Sequence, residues 1–134
     1  MDEPEYWGLP DVGVGLQLTG SAVEDIRGEL RSATFQQQDS AFPASAAILV
    51  DRMPYVPDVP IEGLFDVADS EGIRKLSNTG GITEFNHING TTHVAISPEY
   101  YRDPSIFGVA IFRAMLWQGV AWVHAVAFTH QGRN

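Results

Sequence analysis

From Asp103 to Phe128 the chain reads DPSIFGVAIFRAMLWQGVAWVHAVAF, and no other stretch limits its fold so strongly. Asp103 is a favourable N-cap. Pro104 suits the first helical position, where a missing N–H costs nothing. The apolar run that follows is interrupted clearly only by Arg113, Gln118 and His124. As one helix at 1.5 Å per residue, the segment would span roughly 35 Å, about the diameter of a small domain. The rest of the chain is expected to pack on it. Its length also raises a membrane span. A mid-span arginine costs about 2.5–3.5 kcal/mol on insertion scales, however, and Arg113 sits well inside. The segment therefore reads as a core helix, and no membrane is expected.

A chain of 134 residues forms one domain by length, here taken as 1–134 with an irregular lead-in over 1–11 and a frayed tail over 129–134. It contains no cysteine, so disulfide and thiolate chemistry are excluded. The net charge of −9 is unevenly placed. Residues 1–71 hold three bases against fourteen acids, a balance of −11, while residues 72–134 hold five against three, or +2. Such an acidic surface opposes nucleic-acid binding, which needs clustered Lys and Arg. It suits a basic protein partner. The acidic start MDEPEYWG lacks the basic and apolar regions of a secretory leader, so the expected compartment is the cytoplasm.

Taken in order, Val12–Leu18 reads as a short strand. Its Gly13 and Gly15 begin a G-x-G, but Leu18 stands where the third glycine of a dinucleotide fingerprint would fall. Ser21 and Glu24 have the spacing of a capping box, opening a helix over 22–34 with Val23, Ile26, Leu30 and Ala33 on one stripe. Residues 36–46 read as a loop and Ala47–Val50 as a strand. Pro54, Pro57 and Pro60 recur with period three, which favours a rigid polyproline II connector. Ile61–Asp69 reads as a short helix, and Asn78-Thr79-Gly80-Gly81 as a turn. Ile82–Ile88 and Thr91–Ser97, joined by Asn89-Gly90, predict a two-residue β-hairpin. That turn would set Asn86 opposite His93 and Phe85 opposite Val94. Alternation puts Phe85, Val94 and Ile96 on the core face with Thr83, His87 and Thr92.

Two clusters can carry chemistry. Glu84, Asn86 and His93 share the other hairpin face, where a carboxylate beside an imidazole can tune proton transfer. Arg113, Trp117 and His124 line one stripe of the long helix, with Trp117 about 40° and His124 about 20° from Arg113 on a helical wheel. There Arg113 can bind a carboxylate or phosphate while Trp117 stacks on the ligand. The histidines lack metal-site spacing and G-x-S-x-G is absent, so no metal, cofactor or serine-hydrolase motif is expected.

The run His93-Val94-Ala95-Ile96-Ser97-Pro98, followed by Asp103-Pro104-Ser105-Ile106-Phe107-Gly108 and an apolar helix, resembles a family of short alphaproteobacterial proteins of unknown function. The resemblance spans residues 93–125 and departs from the pattern at Arg113, where the family carries an acid. It implies a compact α+β domain and supplies no function, since the family has no assigned activity. The residues themselves also point to α+β: a small antiparallel sheet centred on the 82–97 hairpin, packed by helices 103–128 and 22–34. The leading functional expectation is a non-enzymatic interaction protein whose acidic half meets a basic partner. A small-ligand-binding protein or enzyme on the Arg113/Trp117/His124 stripe is the alternative. A homo-oligomer through the 103–128 helix is also compatible with its apolar surface.

Overall fold

The structure is a computed structural model that describes residues 3–41, 45–59, 61 and 63–120. Its centre is an eight-stranded mixed sheet. The strands are β1 (Glu5–Leu9), β2 (Val14–Thr19), β3 (Gln36–Gln38), β4 (Ala46–Arg52), β5 (Asp66–Ser70), β6 (Ile73–Asn78), β7 (Gly81–Asn86) and β8 (Thr92–Ile96). Their spatial order is β3-β1-β2-β4-β8-β7-β6-β5. β2–β4 and β4–β8 are parallel, and the remaining pairs are antiparallel. Two helices complete the fold: α1 (Arg27–Ser32), entered through a 3₁₀ turn over Val23–Ile26, and α2 (Ser105–Trp117), preceded by a 3₁₀ turn over Tyr100–Arg102.

This overturns the expected small antiparallel sheet under a long helix. The hairpin is two strands of eight, and α2 has 13 residues. Gly119 stops the helix. It takes the left-handed conformation (φ +84°), the Gly119 N–H reaches Leu116 O, and the Val120 N–H reaches Met115 O at 2.9 Å. These are the two bonds of a Schellman cap, which needs glycine at that position. Residues 121–128 of the expected helix, His124 among them, lie outside the described residues. Pro104 is the N-cap residue, and the Asp103 carboxylate accepts from Ser105 Oγ at 2.7 Å instead of from the helix backbone.

Other local expectations change for identifiable reasons. The Ser21–Glu24 capping box does not form, because Ser21 Oγ donates to the Asp51 carboxylate and Glu24 pairs with Arg52. The helix expected over 22–34 is accordingly a 3₁₀ turn and six α-helical residues. The lead-in contains β1, and the loop over 36–46 contains edge strand β3. The expected 61–69 helix gives way to β5. The hairpin pairs Glu84 with His93 and Phe85 with Thr92, a shift of two residues. Asn86 causes the shift. Its Oδ1 accepts from the Ile88 and Asn89 N–H groups, at 2.9 and 3.3 Å, so the loop spans four residues. The two-residue type I′ geometry appears at Glu71-Gly72 (φ +49° and +83°), between β5 and β6.

One face of the sheet carries the core. Leu16, Leu18, Ile48, Val50, Val94 and Ile96 project from the strands. α1 adds Leu30. α2 adds Ile106, Phe107, Ala110, Ile111, Ala114 and Met115, spaced as a single helical stripe. α2 lies across β2, β4, β6, β7 and β8. Thr83 Oγ1 donates to Ile106 O at 2.5 Å, fixing the start of α2 on β7. Gly20 is required where β2 leaves the sheet: its φ is +117°, and a Cβ there would stand 2.1 Å from Val50 O. No helix among the described residues is long and apolar enough to cross a membrane.

Candidate functional site

The C-terminal half of α2 lies above the loop end of the β7–β8 hairpin. Phe85 and Thr92 pair on the helix-covered face there, and His87 follows β7 in the exposed hairpin loop. α2 brings Arg113 to Phe85 and His87 and sets Trp117 beside the cavity that Thr92 lines. The Arg113 guanidinium carbon lies 4.4 Å from the centre of the Phe85 ring and 5.8 Å from that of Trp117. Arg113 Nη2 is 3.0 Å from His87 Nδ1. Beside it opens a cavity of about 220 Å³ whose walls include Ser45, Ile48, Gly90, Thr92, Arg113 and Trp117. Trp117 is 75% exposed, so one aromatic face is open to a ligand.

The charge environment separates Arg113 from the arginines that serve structure. Arg27 pairs with Glu5, Arg52 with Glu24 and Asp25, Arg74 with Asp69, and Arg102 with Glu99. Arg31 stacks on Trp7 at 5.6 Å. Arg113 forms no ion pair among the described residues, although only Asp2 and Glu62 of the seventeen acids lie outside them. Burial, and secondly the charge of Arg74, push its pKa below the usual arginine value. It remains a cation at neutral pH.

The second expected cluster is divided. Glu84 and His93 are direct cross-strand neighbours, but His93 Nε2 pairs with Asp51 Oδ2 at 3.1 Å. Asn86 is committed to the hairpin loop. Asp51 also accepts from the Ser21 N–H at 3.1 Å and from Ser21 Oγ at 3.2 Å. The Ser21 amide, and more weakly the His93 hydrogen bond, hold its pKa below the usual carboxylate value, against the effect of burial. A serine, an aspartate and a histidine thus meet, but the carboxylate is in the middle. A nucleophile triad needs the imidazole between serine and carboxylate, so that it can take the hydroxyl proton. The cluster ties three segments together: the β2 exit, β4 and β8. No group of three or more His, Cys, Asp or Glu side chains among the described residues can hold a metal ion.

Arg113 and Trp117 therefore lie together beside one cavity, while His124 lies outside the described residues. Phe85, His87 and Thr92 are the partners that sequence reasoning left unassigned. Thr92 is legible as a polar residue on the expected core face of the hairpin, where it needs a polar neighbour, whereas His87 lies exposed in the hairpin loop and gives no such signal. In comparisons with known proteins, no family model, curated protein or solved structure matches the chain.

Proposed function

We propose that this protein binds a compact organic anion in the cavity beside Arg113. One observation carries this reading: a half-buried guanidinium with no carboxylate partner among the described residues, lining a cavity in a chain of seventeen acids and eight bases. Taking a charge partly out of water is unfavourable unless an opposite charge meets it. Acids are abundant here, yet the pocket offers a hydroxyl and an aromatic plane in place of one. Phe85 lies against the guanidinium at 4.4 Å, and Arg113 is one wall of the cavity. Thr92 adds a hydroxyl-bearing wall, and Trp117 provides a platform for a planar ligand. The expectation of a basic protein partner rests on fourteen acids in residues 1–71. Four of them (Glu5, Glu24, Asp25 and Asp69) are already paired with arginines, so the geometry favours the pocket.

The test is a titration with benzoate and its neutral isostere benzamide, read by tryptophan fluorescence and calorimetry. Benzoate should bind the native protein, and Arg113→Gln should weaken it by about 10- to 100-fold, the worth of one or two charge-assisted hydrogen bonds. Equal binding of benzamide, or an unchanged affinity in Arg113→Gln, would refute the reading.

A further inference from the structure

Arg113 stands between the cavity and a titratable ring. An arginine nitrogen only donates hydrogen bonds, so the 3.0 Å contact from Nη2 requires a lone pair on His87 Nδ1. The bond therefore exists only with a neutral imidazole whose proton is on Nε2. The backbone there is fixed: the His87 main-chain N–H donates to Gly72 O at 2.8 Å, tying the loop to the β5–β6 turn. Among the described residues, the charged groups that interact with His87 are Arg113 on α2 and Asp69 on the β5–β6 hairpin, and Arg74 acts on Arg113. Asp69 and Arg74 bind each other through two hydrogen bonds of 2.8 and 3.0 Å. His87 does not itself line the cavity; it acts through Arg113.

We propose that His87 couples anion binding in this pocket to uptake of one proton, and that the coupling selects a dianionic head group, phosphate- or sulfate-like, over a monoanion. The proposal rests on the Arg113 reading above. When His87 Nδ1 is protonated it stops accepting, and Nη2 of Arg113 is released to donate into the cavity. The imidazolium then stands behind the guanidinium as a second positive charge. Two adjacent cations repel one another without a ligand, and a head group with two negative charges offsets both. A carboxylate offsets one and is best matched by Arg113 beside a neutral His87. By linkage, an anion that prefers the protonated site draws the proton in, and the proton tightens the anion equally.

Sulfate is a suitable probe because it stays a dianion throughout the range in which an imidazole changes charge. Its affinity should rise between pH 8 and pH 6 by up to about tenfold per pH unit, the limit for one linked proton. Benzoate, ionised throughout, should change by less than about threefold over the same range. His87→Gln keeps an acceptor for Arg113 but does not titrate, and should flatten the sulfate profile. Phenyl phosphate binding more tightly than inorganic phosphate would place the dianion on an organic ester; the reverse order would make the free anion the ligand. A flat sulfate profile in the native protein, or an equal slope in His87→Gln, would overturn the proton coupling. If benzoate still binds through Arg113 in that event, only the coupling fails. If neither anion binds, the pocket reading itself fails.

Discussion

Tyr100 has the one buried side-chain polar atom without a hydrogen-bond partner among the described residues. Its ring helps to join the 3₁₀ turn before α2 to the core, and the residue is 8% exposed. Burial, with a smaller effect from the charge of Glu29, raises the phenol's pKa far above its ordinary value, so it is a neutral hydroxyl. An unpaired buried hydroxyl loses its water without compensation. Tyr100→Phe keeps the ring and removes that loss. It should stabilise the protein by about 1 kcal/mol, raising the melting temperature by roughly 4 °C with an unchanged denaturant m-value. A lower melting temperature would mean that the hydroxyl has an undetected role. The residues of the candidate site differ in how far they could be read. Arg113 and Trp117 are legible because a cation and an indole four residues apart interrupt an apolar helix. His87 is not, because its role depends on α2 passing over the end of a hairpin 26 positions earlier in the chain.

Among the elements, α2 shows where periodicity informs and where it misleads. Its inward stripe follows directly from the spacing of Ile106, Phe107, Ala110, Ile111, Ala114 and Met115. Its end does not, because apolar composition continues past Gln118-Gly119 while the backbone turns at Gly119. The β7–β8 hairpin shows the converse. Its loop is longer than Asn89-Gly90 predicts, yet a two-residue shift preserves strand parity, so each side chain within the paired strands stays on its expected face. β5 and β6 gave little signal. β5 is exposed along its whole length, with Asp66 and Asp69 on a sheet edge, where charge discourages pairing with another chain. Gln118, which looked like a polar break within a helix, fastens the end of α2 to the sheet. Its Oε1 accepts from the Gly15 N–H at 2.9 Å, and its Nε2 donates to Gly15 O at 2.8 Å and Ala114 O at 3.1 Å. β4 pairs with β2 only from Leu16 onward, and the side-chain amide takes the place of a strand neighbour at Gly15. Gln118→Ala should cost about 2 kcal/mol, measured by chemical denaturation, since it strands both backbone groups of Gly15. Gln118→Glu should cost at least as much at pH 7, because a carboxylate cannot donate to the two carbonyls. A loss below about 0.5 kcal/mol in both variants would show that water replaces the amide freely.

At the scale of the whole molecule, the sheet consists of an N-terminal half, β3-β1-β2-β4, and a C-terminal half, β8-β7-β6-β5, joined along the parallel pair β4–β8. That seam was not legible in the sequence. Its strands are separated by about forty residues, and hydrophobic patterning assigns faces without choosing neighbours. α2 covers the seam from the core side, and Asp51 secures it at the strand ends by holding Ser21 and His93. Glu5 supports the N-terminal half in a similar way, through Arg27 and the Trp7 indole N–H, and its pKa is lowered chiefly by the Arg27 hydrogen bond. The pH dependence follows from the direction of these shifts. A carboxyl group whose folded-state pKa lies below its unfolded value, about 4, binds fewer protons in the native state. The stabilisation is complete above that value and is lost as pH falls through the folded pKa. The melting temperature should therefore hold steady from pH 7 to about pH 5 on account of these two groups and fall steeply below about pH 4. Asp51→Asn should melt below the native protein at pH 7. The difference should shrink as the pH approaches 3, where protonation removes the same interaction from the native chain. A difference that stays constant from pH 7 to pH 3 would mean that Asp51 holds the seam through shape alone, and that its charge contributes nothing to joining the two halves.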